Sequence, residues 1–256
     1  MILEYHRPKD LQTALALLNR QEIATLPLGG GTVLAQKSPQ PFAVVDLQEL
    51  DLDGIQLKGR QLEVGAAVTL QKLLESAEIQ PALRRALQQE ASYNLRQSAT
   101  LAGTLVACAG FSPLATALLA LDASLKLEPG AEQLDLGELL YLRQNRLRGR
   151  LITQINLPLN ARLAYHSVSR TPADIPLVCA AAARWPSGRT RIALGGFGEA
   201  PRLALDGPDA GGFEAAVSSA YQEAGDPRAS AEYRREMAVL LAKRALEELD
   251  RDADHA

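Results

Sequence analysis

Three consecutive glycines, Gly29-Gly30-Gly31, lie between the apolar run Ala24–Leu28 and Val33-Leu34-Ala35, and they limit what this chain can fold into more than any other stretch. Glycine loses more backbone freedom on folding than any other residue, so three in a row belong in a turn rather than inside a helix or strand. A turn without side chains can bring its backbone N–H groups close to an anion, and a strand leading into it is the usual context of such a site. The spacing lacks the Gly-Lys-Ser/Thr ending of a P-loop and is not Gly-x-Gly-x-x-Gly. On these residues alone, a phosphate cradle and a plain flexible turn both stand.

The rest of the composition removes whole classes of function. With 27 basic and 30 acidic residues the net charge is −3, which provides no positive field for nucleic acid or an anionic membrane. Neither partner is expected. The first residues lack a basic segment followed by a long apolar one, and no uncharged run approaches the roughly 20 residues of a membrane span, so a cytoplasmic location is expected. Cys108 and Cys179 are too few and too far apart for a metal-ligand cluster, so no metal site and no iron–sulfur centre of its own is expected. Both read as inert buried thiols. At 47% hydrophobic over 256 residues, the chain can bury one large core or two modest ones.

In chain order, Asp10 is a natural cap for a helix over Leu11–Asn19, and Ala24–Leu28 and Phe42–Leu47 read as short strands. Leu52–Leu57 and Gln61–Val64 form a hairpin about Lys58-Gly59. Thr69 and Pro81 open helices, the second running to Glu90, and Leu114–Leu121 is a third. Ser124–Leu127 and Ile152–Leu157 are strands, and Arg143, Arg146, Arg148 and Arg150 between them read as a solvated segment, with a phosphate contact as the minority reading. Pro158 marks a boundary. Beyond it, Leu163–Ser169, Leu177–Trp185 and Thr190–Phe197 predict a small antiparallel sheet, followed by helices over Phe213–Ala224 and Ser230–Asp250. Between Leu95 and Leu105, small residues occupy positions that would carry bulk in an ordinary strand or helix. Close packing and close approach to a ligand both explain them.

With these segments placed, the whole chain resembles the flavin-binding medium subunit of the molybdenum hydroxylases, the group that includes carbon monoxide dehydrogenase, xanthine dehydrogenase and related aromatic hydroxylases. Gly29-Gly30-Gly31-Thr32 is similar to that family's first FAD loop, and Val44-Val45-Asp46-Leu47 to the strand after it. Arg96 and Thr100-Leu101-Ala102-Gly103-Thr104 resemble the second loop, and Ala117–Ala123 the following helix end. Ser169-Arg170 before Asp174, and Tyr233-Arg234-Arg235, match its C-terminal domain.

The resemblance implies an α+β fold: a two-part α/β FAD-binding domain over 1–158, with subdomains of about 1–50 and 51–158, followed by a small antiparallel-sheet-plus-helix domain over 159–256. It implies FAD as cofactor, held by Leu28, Gly29, Gly30, Gly31, Thr32, Val33 and Leu34 in the first loop. Thr100, Ala102, Gly103, Thr104 and Ser112 would complete the cofactor site, with His166 near the isoalloxazine. No catalytic residue is implied. Electrons would arrive from a 2Fe-2S small subunit, originate at a molybdenum-cofactor large subunit, and leave to NAD or another acceptor.

Four departures accompany the match. Val33 replaces an Asp or Ser, Ala102 a glycine, Thr104 an asparagine, and Pro113 an aspartate suited to a ribose hydroxyl. If Ala102 needed φ > 0, its Cβ would cost about 1 kcal/mol. These departures support an alternative, a family member with a degenerate flavin site acting as a non-catalytic structural or assembly subunit. Valine at Gly30 or Gly31 is expected to remove flavin and leave the fold intact.

Overall fold

The computed structural model describes residues 1–34, 40–172 and 174–254. In chain order it runs β1 (Ile2–His6), α1 (Leu11–Leu18), β2 (Thr25–Leu28), β3 (Phe42–Asp46), β4 (Ile55–Lys58), β5 (Gln61–Gly65), α2 (Leu70–Glu75) and α3 (Pro81–Glu90). There follow α4 (Tyr93–Arg96), α5 (Leu101–Ala107), α6 (Pro113–Ala120), β6 (Ser124–Glu128), β7 (Glu132–Asp135), α7 (Leu136–Arg146) and β8 (Leu151–Pro158). The last segment is β9 (Arg162–Val168), β10 (Val178–Arg184), β11 (Thr190–Gly195), β12 (Arg202–Gly207), α8 (Phe213–Ala220) and α9 (Ala231–Asp254). The fold is α+β, and no described helix is long and apolar enough to cross a membrane.

The caps explain why several helices start where they do. Asp10 accepts from the Thr13 N–H and Thr69 from the Lys72 N–H, while Pro81 and Pro113 sit in first turns, where a missing N–H costs nothing. Pro113 is therefore well placed as a helix opener. Six elements have weak local signals and emerge only in the structure: β1, α4, β7, α7, β12 and the helix α5 that absorbs part of the small-residue stretch.

The chain divides into two compact units. The first is 1–76, 92–107 and 124–157; the second is 77–91, 108–123 and 158–256. The contiguous division at 158 expected from the sequence is thus crossed twice, by α3 and α6. Both helices are apolar on the face they bury, and α6 is buried along its whole length. They pack on β9, β10 and β11, which lie far away in sequence.

In the first unit, β1, β3 and β2 form a parallel sheet in that order, with β3 in the centre and wholly buried. A five-stranded sheet, β4-β5-β8-β6-β7, completes it. Ala14 and Leu18 of α1, Val45 of β3, Leu47 just after it, and Leu151 of β8 share one buried cluster, so both sheets contribute to this unit's core.

Asp46 ends β3 with a buried carboxylate, 2% exposed. It accepts from the Tyr5 hydroxyl, from Arg7 Nε and Nη2 at 3.1 and 2.9 Å, and from the Gln48 N–H at 3.0 Å. Burial alone would raise its pKa, but the hydrogen bonds from Tyr5, Gln48 and Arg7 outweigh burial and hold it below the ordinary value. A carboxyl depressed in the folded state adds stability above its unfolded pKa, and that stability disappears as pH falls through the folded one. Asp46→Asn should therefore cost about 2 kcal/mol at neutral pH. It should also flatten the loss of stability below about pH 4, where an unfolded Asp protonates. Urea midpoints from pH 7 to pH 3 check both, and parallel curves for the two proteins would refute the assignment.

The second unit is a meander, β12-β11-β10-β9, each strand antiparallel to the next. Its small residues, Ala180, Ala182 and Ala164, let α9 lie close, and Leu241, Ala242, Ala245 and Leu249 fill that layer.

Candidate functional site

The glycine loop leaves the carboxyl end of β2, beside the carboxyl end of β3, where Leu28 is paired with Asp46. It borders a crevice of about 350 Å³ that lies wholly within the first unit. It is lined by Leu26, Pro27 and Gly29 to Leu34, by Ala66 with Thr100, Ala102, Gly103, Val106 and Ala107, and by Leu47, Leu147, Arg150, Leu151 and Ile152.

The glycines have two different jobs. A Cβ on Gly30 would stand 1.6 Å from the Ser98 carbonyl oxygen, and one on Gly29 2.6 Å from Thr100 Oγ1. Both are thus demanded by contact with the second segment. Gly31 has φ +70°, and its Cβ position meets little beyond the Leu28 side chain at 3.5 Å. Glycine is needed there for its left-handed backbone.

The hydrogen bonds separate the two loops sharply. The backbone N–H groups from Gly29 through Leu34 donate to no described residue, which leaves a row of open donors along the crevice. In the second segment most are engaged. Leu101 N–H donates to Val68, Ala102 to Ala66, Gly103 to Thr100 Oγ1 and Thr104 to the Thr100 carbonyl, at 2.8, 3.3, 3.2 and 2.9 Å. Thr100 is in effect the cap of α5, and the segment offers the crevice small side chains. Ala102 lies inside that helix and has no positive φ, so its Cβ carries none of the strain that a left-handed loop position would impose.

Of the residues singled out from sequence, Gly29, Gly30, Gly31, Thr32, Val33, Leu34, Thr100, Ala102 and Gly103 are brought together at the crevice. Leu28 and Thr104 flank its walls in sequence without lining it. Ser112 and His166 belong to the second unit. Ser112 caps α6, accepting from Ala115 N–H and donating to Glu90, which also accepts from Leu114 N–H at 2.9 Å. Burial pushes the Glu90 carboxyl up. His166 lies 2.8 Å from Glu248 of α9, which also holds Arg85. Cys179 is fully buried and burial pushes its thiol up to about 11, while Cys108 is half-buried.

Sequence reading missed the remaining lining residues. Arg150 follows α7 and leads into β8; its guanidinium is paired with Glu132, which also receives Arg146 at 2.5 Å. The Arg150 hydrogen bond first, and then the Arg146 charge, hold Glu132 below the ordinary carboxylate range. The arginine run was visible in the sequence, but only the tertiary course of β8 places one of its members on the crevice that the glycine loop borders.

A loop of open N–H donors at the carboxyl ends of parallel strands defines a nucleotide-binding unit. Residues 1–160 match the family described as the FAD binding domain in molybdopterin dehydrogenase, and the chain belongs to that family. It is 32% identical over 248 residues to the uncharacterized protein YgfM of Escherichia coli K12, with 94% of each chain covered. It is 26% identical to the carbon monoxide dehydrogenase medium chain of Afipia carboxidovorans, covering 95% of each. A reconstituted carbon monoxide dehydrogenase from Oligotropha carboxidovorans superposes with a TM-score of 0.80 at 25% identity, over 95% of this chain and 96% of that one.

The protein is thus an FAD-binding subunit of the molybdenum hydroxylase type. The crevice fits this group chemically, with open donors for phosphate oxygens and small residues where an extended ligand must pass. Its volume lies in the range of small-molecule sites, about 300–1,000 Å³.

Proposed function

We propose that this chain is the electron-transfer subunit of a multi-subunit molybdenum hydroxylase, taking electrons from a 2Fe-2S small subunit that receives them from a molybdenum-cofactor large subunit, and passing them to NAD or another acceptor. The carrying observation is the row of N–H groups from Gly29 to Leu34 that donate to no described residue, beside the crevice. The flavin supplies the redox chemistry. The protein's residues bind and orient it. The Gly29–Leu34 backbone meets the anionic portion, while Thr32 and Thr100 add hydroxyls and Ala102 and Gly103 keep the passage open. Val106, Leu147 and Ile152 exclude water. A cytoplasmic location is part of this reading.

One observation favours a structural or assembly subunit with a degenerate site. Gly29 and Gly30 are required by packing, so they would persist in a chain that had lost its flavin. Reconstitution decides between the readings. The purified protein, equilibrated with FAD and desalted, should retain a flavin absorbance band in near-stoichiometric amount; a colourless protein would overturn the proposal and leave the structural role.

A further inference from the structure

The crevice presents one formal charge. Among the described residues that line it, Arg150 alone is ionised, and its charge is positive. Its backbone N–H donates to Leu147, and its Nη2 to Glu132. Its Nε and Nη1 donate to no described residue. The side chain is 22% exposed, so the guanidinium is neither buried in a closed network nor loose in solvent.

That arrangement has a physical purpose if an anion enters. A pyrophosphate placed among Gly29 to Leu34 receives neutral dipoles from the backbone, but two negative charges leaving water need a full countercharge as well. The planar fork of an arginine suits phosphate oxygens, and a carboxylate gripping one of its edges fixes the direction of the others. Glu132 provides that grip; Arg146 pairs with both Glu132 and Glu138, and the Arg150 hydrogen bond first, then the Arg146 charge, hold the acid below its ordinary range.

We propose that Arg150 is the cationic anchor for the pyrophosphate of the bound dinucleotide, with Glu132 as its positioning residue. This rests on the reading of the crevice as the FAD site.

The test compares three probes, FAD, ADP and riboflavin, titrated into the parent and into Arg150→Gln by calorimetry. Losing a charge-assisted contact weakens binding about 10- to 100-fold. FAD and ADP should weaken by similar factors in the variant, with a shallower salt dependence, while riboflavin, which has no phosphate, stays unchanged. Unchanged FAD affinity, or an equal loss for riboflavin, would overturn the proposal. Failure of the parent to bind FAD would instead count against the FAD site itself, and is read in a separate arm. Should Arg150→Gln not fold, Arg150→Lys keeps the charge and loses the fork. A loss of about threefold or more for both FAD and ADP, with riboflavin unchanged, then supports the anchor, and no loss refutes it.

Discussion

Gly30→Val is expected to destabilise the first unit itself, by about 3 kcal/mol or more, and not merely to exclude the flavin. The new Cβ would lie 1.6 Å from the Ser98 carbonyl oxygen and 2.4 Å from its carbon, and both are backbone atoms that cannot swing aside. Relief would require the second segment to move, and that segment is strapped to 66–70 by the bonds Leu70 N–H to Ala99, Leu101 N–H to Val68 and Ala102 N–H to Ala66. The expectation from sequence, loss of flavin with the fold intact, therefore fails at Gly30. At Gly31 the position is open apart from Leu28, and the cost of a side chain is the left-handed backbone, about 1–2 kcal/mol. Urea unfolding of the flavin-free proteins distinguishes the two sites. Equal midpoints for Gly30→Val and Gly31→Val would show that the two loops do not pack as described.

Arg234→Met should cost the second unit about 3–5 kcal/mol. Arg234 is fully buried, yet all three of its nitrogens are engaged. Nη2 reaches both oxygens of Asp226 at 2.9 Å, Nη1 donates to the Ala224 carbonyl at 2.8 Å, and Nε to the Leu177 carbonyl at 3.1 Å. The guanidinium also stacks on Phe197, 5.2 Å from the ring centre. Methionine fills much of the volume but strands two carbonyls and a carboxylate. Burial would raise the Asp226 pKa; the bonds from Arg234 and from the Arg228 and Ala229 N–H groups hold it below the ordinary value. The parent should consequently lose stability in acid that the variant has already lost. Thermal unfolding at pH 7 and pH 4 reads both effects, and a melting temperature in the variant equal to the parent's would refute the role.

Arg234 also shows how a motif can be legible while its work is not. Tyr233-Arg234-Arg235 stood out in the sequence as a family match, but adjacent arginines on a helix look alike in one dimension. The structure buries Arg234 and leaves Arg235 half-buried. His166 is the converse. The alternation of β9 turns Tyr165 toward Gln89 of α3 and His166 toward Glu248 of α9, so neighbours in sequence serve opposite faces of the sheet.

By itself the sequence determined the strands and helices whose signals are local: the capped helices, the hairpin about Lys58-Gly59, the alanine-rich strand β10 and the glycine turn. It also determined the family, because several short motifs in fixed order are a one-dimensional property. Only the tertiary structure decided which glycines serve packing and which serves conformation. It put the row of open donors in the first loop and gave α3 and α6 to the second unit. It also set Arg150 on the crevice that Gly29–Leu34 line. Each of these depends on a contact between segments far apart in the chain, where a carbonyl such as that of Ser98 occupies the space a side chain would need, and no local pattern of residues encodes that distance.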